Sequence, residues 1–184
     1  MSKCIDPNHA CQEKNELFYD KISRWLLFTI RAIIVGMKTR RKKMDSVFSR
    51  LIREASDWTC AKCHKKFTEG ARNLHCSHFF GRRAVNTRWD PDNVFAHCFR
   101  CHQFLGENPA IFTEWAQDAR GAEWYEDMLF EHNRTLKLND KDREELYNEM
   151  KETYDAILKM RGKGTTGPIQ VKLRKLHGFR NRGG

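Results

Sequence analysis

Residues 58–63 read WTCAKC and residues 97–102 read HCFRCH; these two stretches decide how the chain is expected to fold. Each holds a Cys-x-x-Cys pair, Cys60 with Cys63 and Cys98 with Cys101, and 34 residues lie between them. Two such pairs supply the four thiolates that a closed, tetrahedral structural zinc site prefers. Zinc held there ties the segment at Cys60 to a helix start at Cys98, closing the intervening loop into a small folded module. Seven cysteines in all, an odd count, fit a metal site better than a disulfide ladder.

The enclosed loop carries more than a zinc ribbon needs. It reads LHCSHFFGRR over residues 74–83, RWDPDNV over residues 88–94, and then His97 and His102 around the second cysteine pair. Residues 59–93 lack helical periodicity and are rich in turn formers, which predicts knuckles and a hairpin. After Asn93 the pattern turns helical. The order His78, Asn93, His102 resembles the HNH (ββα-metal) nucleases. More narrowly, S-H-F-x-G-R, R-W-D-P-D-N and C-x-x-C-H resemble the phage Rap (NinG) recombination nucleases, over roughly residues 58–109.

The resemblance implies a metal-dependent endonuclease that hydrolyses phosphodiester bonds of DNA, acting on branched or recombination intermediates in a bacterial cytoplasm and encoded by a phage or prophage. It makes His78 the general base, since a neutral imidazole accepts the proton of an attacking water. His102 becomes a ligand of a catalytic Mg²⁺ or Mn²⁺, and Asn93 pins the hairpin so that His78 is aimed. Ser77 departs from the pattern, because HNH enzymes commonly place Asp or His there as a second metal ligand. His75, the Ser77 hydroxyl, water and the substrate stay open for that place. Arg82, Arg83 and Arg88 flank the base and either fork onto phosphate oxygens or pair with Asp90 and Asp92. Trp89, Phe79 and Cys76 read as packing residues.

Charge points the same way. Lys and Arg number 34 against 24 acidic residues, a formal net charge of +10, which suits a polyanionic partner. A non-catalytic zinc module that binds nucleic acid shares every one of these features except a duty for the histidines, and an RNA nuclease shares the site chemistry.

Working outward, residues 1–43 comprise a polar arm with Cys4, His9 and Cys11, an apolar helix over residues 22–37, and the basic run Lys38, Arg40, Arg41, Lys42, Lys43. That run is either a phosphate-contacting arm or a solvated charge cluster. The apolar helix either packs on the module or pairs with a second copy, giving a homodimer. Arg24 and Arg31 interrupt it, so no membrane span is expected. Met1–Gln12 lacks the apolar core of a secretory signal, which predicts a reducing compartment.

Residues 44–109 are the expected nuclease module, opened by an amphipathic helix with Val47, Phe48, Leu51, Ile52 and Ala55 on one face. Residues 110–160 are expected as helices, the first opened by Asn108-Pro109, closed by Gly121 and carrying Ile111, Phe112, Trp115 and Ala116 on its core stripe, the second from Ala122, the third opened by Asn139 or Asp140. Residues 161–184 hold seven Lys or Arg and no acid, a composition expected to form a flexible basic tail. The fold class is α+β and mostly helical: a small zinc-stapled ββα-metal module with flanking helices.

Overall fold

Helix α1, residues 44–55 in the larger unit, owes its place to apolar residues at three-and-four spacing: Met44, Phe48, Leu51, Ile52 and Ala55 are buried along it. The computed structural model describes Leu26, Thr29, Gly36 and residues 41–174. It divides into Met1–Lys43 and Met44–Gly184. In the first unit Leu26, Thr29 and Gly36 are helical, and the Thr29 hydroxyl donates to the Leu26 carbonyl at 2.9 Å. Arg41, Lys42 and Lys43 are helical and exposed. Lys38, Arg40, Cys4, His9, Cys11 and most of the expected apolar helix lie outside the described residues.

In the larger unit α1 ends at residue 55, and the chain turns sharply through Asp57 and Trp58, whose φ angles are 53° and 51°. Two successive left-handed non-glycine residues cost about 1–2 kcal/mol each. Trp58 offsets this by burying its ring and donating Nε1–H to the Glu54 carboxylate at 2.9 Å. The turn delivers the chain to the Cys60–Cys63 knuckle. There the Cys60 amide donates to the Lys65 carbonyl at 2.9 Å, and His64 is left-handed with φ 58°.

Strands β1 (Leu74–His78) and β2 (Val94–Cys98) form an antiparallel hairpin in which Leu74 faces Cys98 and His78 faces Val94. Side chains alternate across it. Leu74, Cys76, Val94 and Ala96 join the cores beneath α1 and the knuckle, while Phe95 packs on the opposite side with Leu105, Phe112 and Ala116. The connection carries a one-turn helix α2 (Val85–Arg88) and a 3-10 turn, Pro91–Asn93. Helix α3 (Phe99–Glu107) follows β2 directly.

Helices α4 (Pro109–Arg120), α5 (Ala122–Asn133) and α6 (Asp140–Gly162) match the expected starts. Pro109 opens α4, and Gly121, with φ 94°, separates α4 from α5 in a backbone conformation that glycine adopts without strain. Asn139 and Asp142 form a reciprocal capping box on α6. Leu146, Met150 and Ile157 carry α6 into the core of α1. The fold is therefore α+β and mostly helical, with a two-stranded hairpin beside a cluster of four cysteines. Among the described residues, no helix is long and apolar enough to cross a membrane.

Three expectations need correction. Residues 94–98 are a strand, not helical: all five are buried, and a short run buried on both faces shows no alternation from which to tell strand from helix. Ile111, expected on the buried stripe of α4, is 41% exposed, because the packed face is set by Phe112 and Ala116. Residues 163–174 are not a loose tail. The Ile169 amide donates to the Ala55 carbonyl at 2.7 Å and the Gly167 amide to Asp57 at 2.8 Å. Ile169, Val171 and Leu173 pack on the core. Three apolar residues at alternate positions anchor an extended strap despite its basic composition. Residues 175–184 lie outside the described part.

Candidate metal centre and adjoining cleft

The sulfur atoms of Cys60, Cys63, Cys98 and Cys101 all lie within 4.8 Å of one another. Four sulfurs about 2.3 Å from a zinc ion stand roughly 3.8 Å apart, and the Cys63 and Cys98 sulfurs are 3.8 Å apart. The Cys98 amide donates to the Cys60 sulfur at 3.3 Å, a bond that helps a thiolate carry its charge. Burial and the neighbouring cysteines push the Cys101 thiol well above its ordinary range; a bound cation would offset the repulsion among four clustered thiolates. The donor set fits structural zinc. Cys76, half-buried and outside the cluster, has its thiol pushed up to about 12 by burial.

Beside this centre a cleft of ≈ 490 Å³ runs around the free edge of β1. Imidazoles and guanidinium groups dominate it: His75, His78, His102, Arg53, Arg72 and Arg82 line it, and among the described residues no carboxylate does. Strand alternation puts His75 and Ser77 on one face of β1 and His78 on the other. His78 and His102 meet the same space because β1 is an edge strand.

His102 comes from α3, one residue after Cys101, and its ring stacks on His75 with centroids 5.3 Å apart and planes 18° from parallel. Its Nδ1 is 3.0 Å from the Ser77 hydroxyl. Ser77, only 1% exposed, thus orients His102. The Nε2 atom of His75 is buried and has no hydrogen-bond partner among the described residues. Burial, then the nearby His75 and Arg82, lower the pKa of His102.

The Nε2 atom of His78 lies 2.9 Å from the Arg88 carbonyl oxygen. A carbonyl only accepts, so Nε2 carries the proton and Nδ1 keeps the lone pair of the neutral ring. Burial lowers the pKa of His78 from its ordinary value, with the Arg82 and Arg88 charges acting in the same sense and the Arg88 carbonyl and Asp45 opposing them. Burial and the two arginines thus favour the neutral ring of His78.

Asn93 has no exposed surface. Its Oδ1 accepts from the Phe80 amide at 2.8 Å, and its Nδ2 donates to the Phe80 and Thr87 carbonyls at 2.9 and 2.8 Å. It ties both ends of the connection just beyond His78 but does not line the cleft.

The three arginines separate. Arg82 lines the cleft; Arg83 is exposed outside it. Arg88 departs from the expected phosphate clamp: its fork grips Asp45 at 2.9 and 2.6 Å, and its remaining nitrogen donates to the Arg82 carbonyl. Its acidic partner is neither Asp90 nor Asp92. Asp45 also accepts from the Trp89 indole at 2.9 Å, so Arg88 braces α1 against the segment that positions His78. Trp89 and Phe79 are packed, Phe79 edge-on against Phe112 and Trp124.

Sequence reasoning missed Asp45, Arg53 and Arg72. Their roles depend on partners far along the chain, and nothing in the local pattern marks them. No family model, curated protein or solved structure matches the chain, so the site is read from its own geometry.

Proposed function

We propose that this chain is a metal-dependent endonuclease that hydrolyses phosphodiester bonds of DNA, with structural zinc in the four-cysteine centre and Mg²⁺ or Mn²⁺ in the cleft. The observation that carries the reading is the meeting of His75, His78 and His102 with Arg53, Arg72 and Arg82 in one cleft. A bound divalent ion supplies charge neutralisation at the phosphate and at the leaving 3′ oxygen.

In this reading His102, oriented by Ser77, and His75 hold that ion. His78 Nδ1 takes a proton from water as the water oxygen attacks phosphorus and the P–O3′ bond breaks. Arg82 and Arg72 hold non-bridging phosphate oxygens. The resemblance to phage recombination nucleases extends the proposal to branched DNA, cut by two copies of the chain acting on one junction.

The test is cleavage of linear, nicked, flapped and four-way DNA by wild type and His78→Ala, each with and without Mg²⁺ or Mn²⁺. Metal-dependent cutting by the wild type alone supports the proposal; no cutting of any substrate sinks it. RNA of the same sequence measures sugar preference, and light scattering measures pairing.

One observation favours a second reading, a non-catalytic zinc module that binds nucleic acid. Mg²⁺ prefers oxygen ligands, and the cleft offers it no carboxylate among the described residues. That reading keeps binding after His78→Ala and shows no metal-dependent cleavage.

A further inference from the structure

Phe99 opens α3 and is 56% exposed. A single exposed aromatic ring is ordinary, but the position of this one is not. Its centroid is 6.0 Å from that of His75, which in turn stacks on His102. Phe99 and His102 are three residues apart on α3 and share one side of it. The ring therefore extends the row of imidazoles from the cleft to its rim.

Phe99 is also held firmly. Its amide donates to the Asn73 carbonyl at 2.9 Å, and it stands between Cys98 and Cys101 of the four-sulfur centre. Of the other strongly exposed phenylalanines among the described residues, Phe104 has Lys62 5.7 Å from its ring centroid and Phe130 has Arg134 at 5.7 Å. Among the described residues no cation covers Phe99. Arg72, which lines the cleft, and Arg100, the next residue of α3, are exposed and form no ion pair among the described residues.

An aromatic face on an anchored backbone, with uncommitted cations nearby, has the chemistry that binds single-stranded nucleic acid, where the base stacks on the ring and the cations follow the phosphates. In continuous duplex the base faces are already stacked on their neighbours and are closed to such a ring. We infer that Phe99 is a stacking platform for one unpaired nucleobase of a DNA strand entering the cleft, so that single-stranded or flapped DNA binds in preference to continuous duplex. The inference rests on the reading of the cleft as a nucleic-acid site and adds the ligand form it selects.

The experiment measures binding by fluorescence anisotropy, using the full zinc-loaded chain, a short oligo-dT and a blunt duplex. No Mg²⁺, Mn²⁺ or chelator is added, so neither cleavage nor loss of zinc enters the readout. Phe99→Ala is expected to weaken oligo-dT binding about 5- to 150-fold and to leave duplex binding unchanged. Phe99→Trp keeps the oligo-dT affinity, and Phe99→Leu, apolar but without a π-face, behaves as Phe99→Ala. Equal losses on both DNAs, no loss on either, or equal affinities for the Leu and Trp variants overturn the inference. Should Phe99→Ala lose zinc, the Leu and Trp pair decides alone. A chain that cuts no DNA yet shows this pattern keeps the stacking platform and loses only the nuclease reading. A chain that cuts DNA without this pattern loses the platform alone.

Discussion

The four-cysteine centre and the cleft are built from the same short segment, since Cys98, Cys101 and His102 lie within five residues, yet their donor sets differ in kind. In the centre four like donors converge within 4.8 Å, and bound zinc leaves no position for a substrate. In the cleft two imidazoles stack while a third approaches around the edge of β1, with arginines in place of carboxylates. A complete set of ligands serves stability; an incomplete, cationic set leaves room for a phosphate and an ion. In the proposed reading the sulfurs serve folding and the imidazoles serve chemistry.

The hardest way to break that division is to remove the zinc. Chelation, or Cys98→Ser, is expected to unfold the hairpin and α3, because the binding free energy of structural zinc, about 10–16 kcal/mol in small metal-folded modules, is folding free energy. Circular dichroism with a zinc release assay checks this; an unchanged spectrum after stoichiometric release refutes it.

Next is His78→Ala, expected to lower metal-dependent cleavage by about 10²–10⁴-fold, the usual contribution of a general base, while zinc content and melting stay close to wild type. A variant that cuts as fast as the parent removes His78 from the chemistry.

Asn93→Ala tests the brace of the connection between β1 and β2. It leaves buried groups of Phe80 and Thr87 without their partner, at a cost of about 3 kcal/mol. Denaturant unfolding reads the loss, and a change below about 0.5 kcal/mol would remove Asn93 from its bracing role.

A smaller effect of opposite sign is expected at His97. Its ring has no exposed surface, neither nitrogen has a hydrogen-bond partner among the described residues, and it sits among Phe95, Phe112 and Trp115. Burial holds its pKa down at about 3, so the site tolerates only the neutral ring. His97→Phe should be neutral or stabilise the fold by about 1 kcal/mol; a loss of zinc or of cooperativity would instead give this ring a role at the centre.

The finest distinction is a pH profile. His78 works as a base only when neutral, the neutral fraction rises with pH, and burial lowers its pKa. The acid limb of cleavage should therefore have its midpoint below 6.5, with a plateau above it. A midpoint above 6.5 contradicts the assignment.

Much of the site was readable because its parts are local. The cysteine pairs, His78 and His102 are each marked by neighbours within a few positions. Arg88 was not, because its partner Asp45 lies 43 residues away, and an ion pair across that distance exists only once α1 has packed. The strap at residues 163–174 was misread for the same reason: its composition resembles a solvated tail, and its anchorage depends on Ala55 and Asp57, more than a hundred residues earlier.

By itself the sequence determined the helix starts, through Pro109, Gly121 and a cap at Asn139 or Asp140, and the four clustered cysteines, through their paired spacing. Caps and knuckles close hydrogen bonds and metal bonds over a few residues, so neighbours along the chain suffice. Only the tertiary structure decided which arginines face the cleft, that Ser77 holds His102, and that residues 94–98 run as a buried strand. Those outcomes depend on which surfaces exclude water together, and that is settled when distant segments pack.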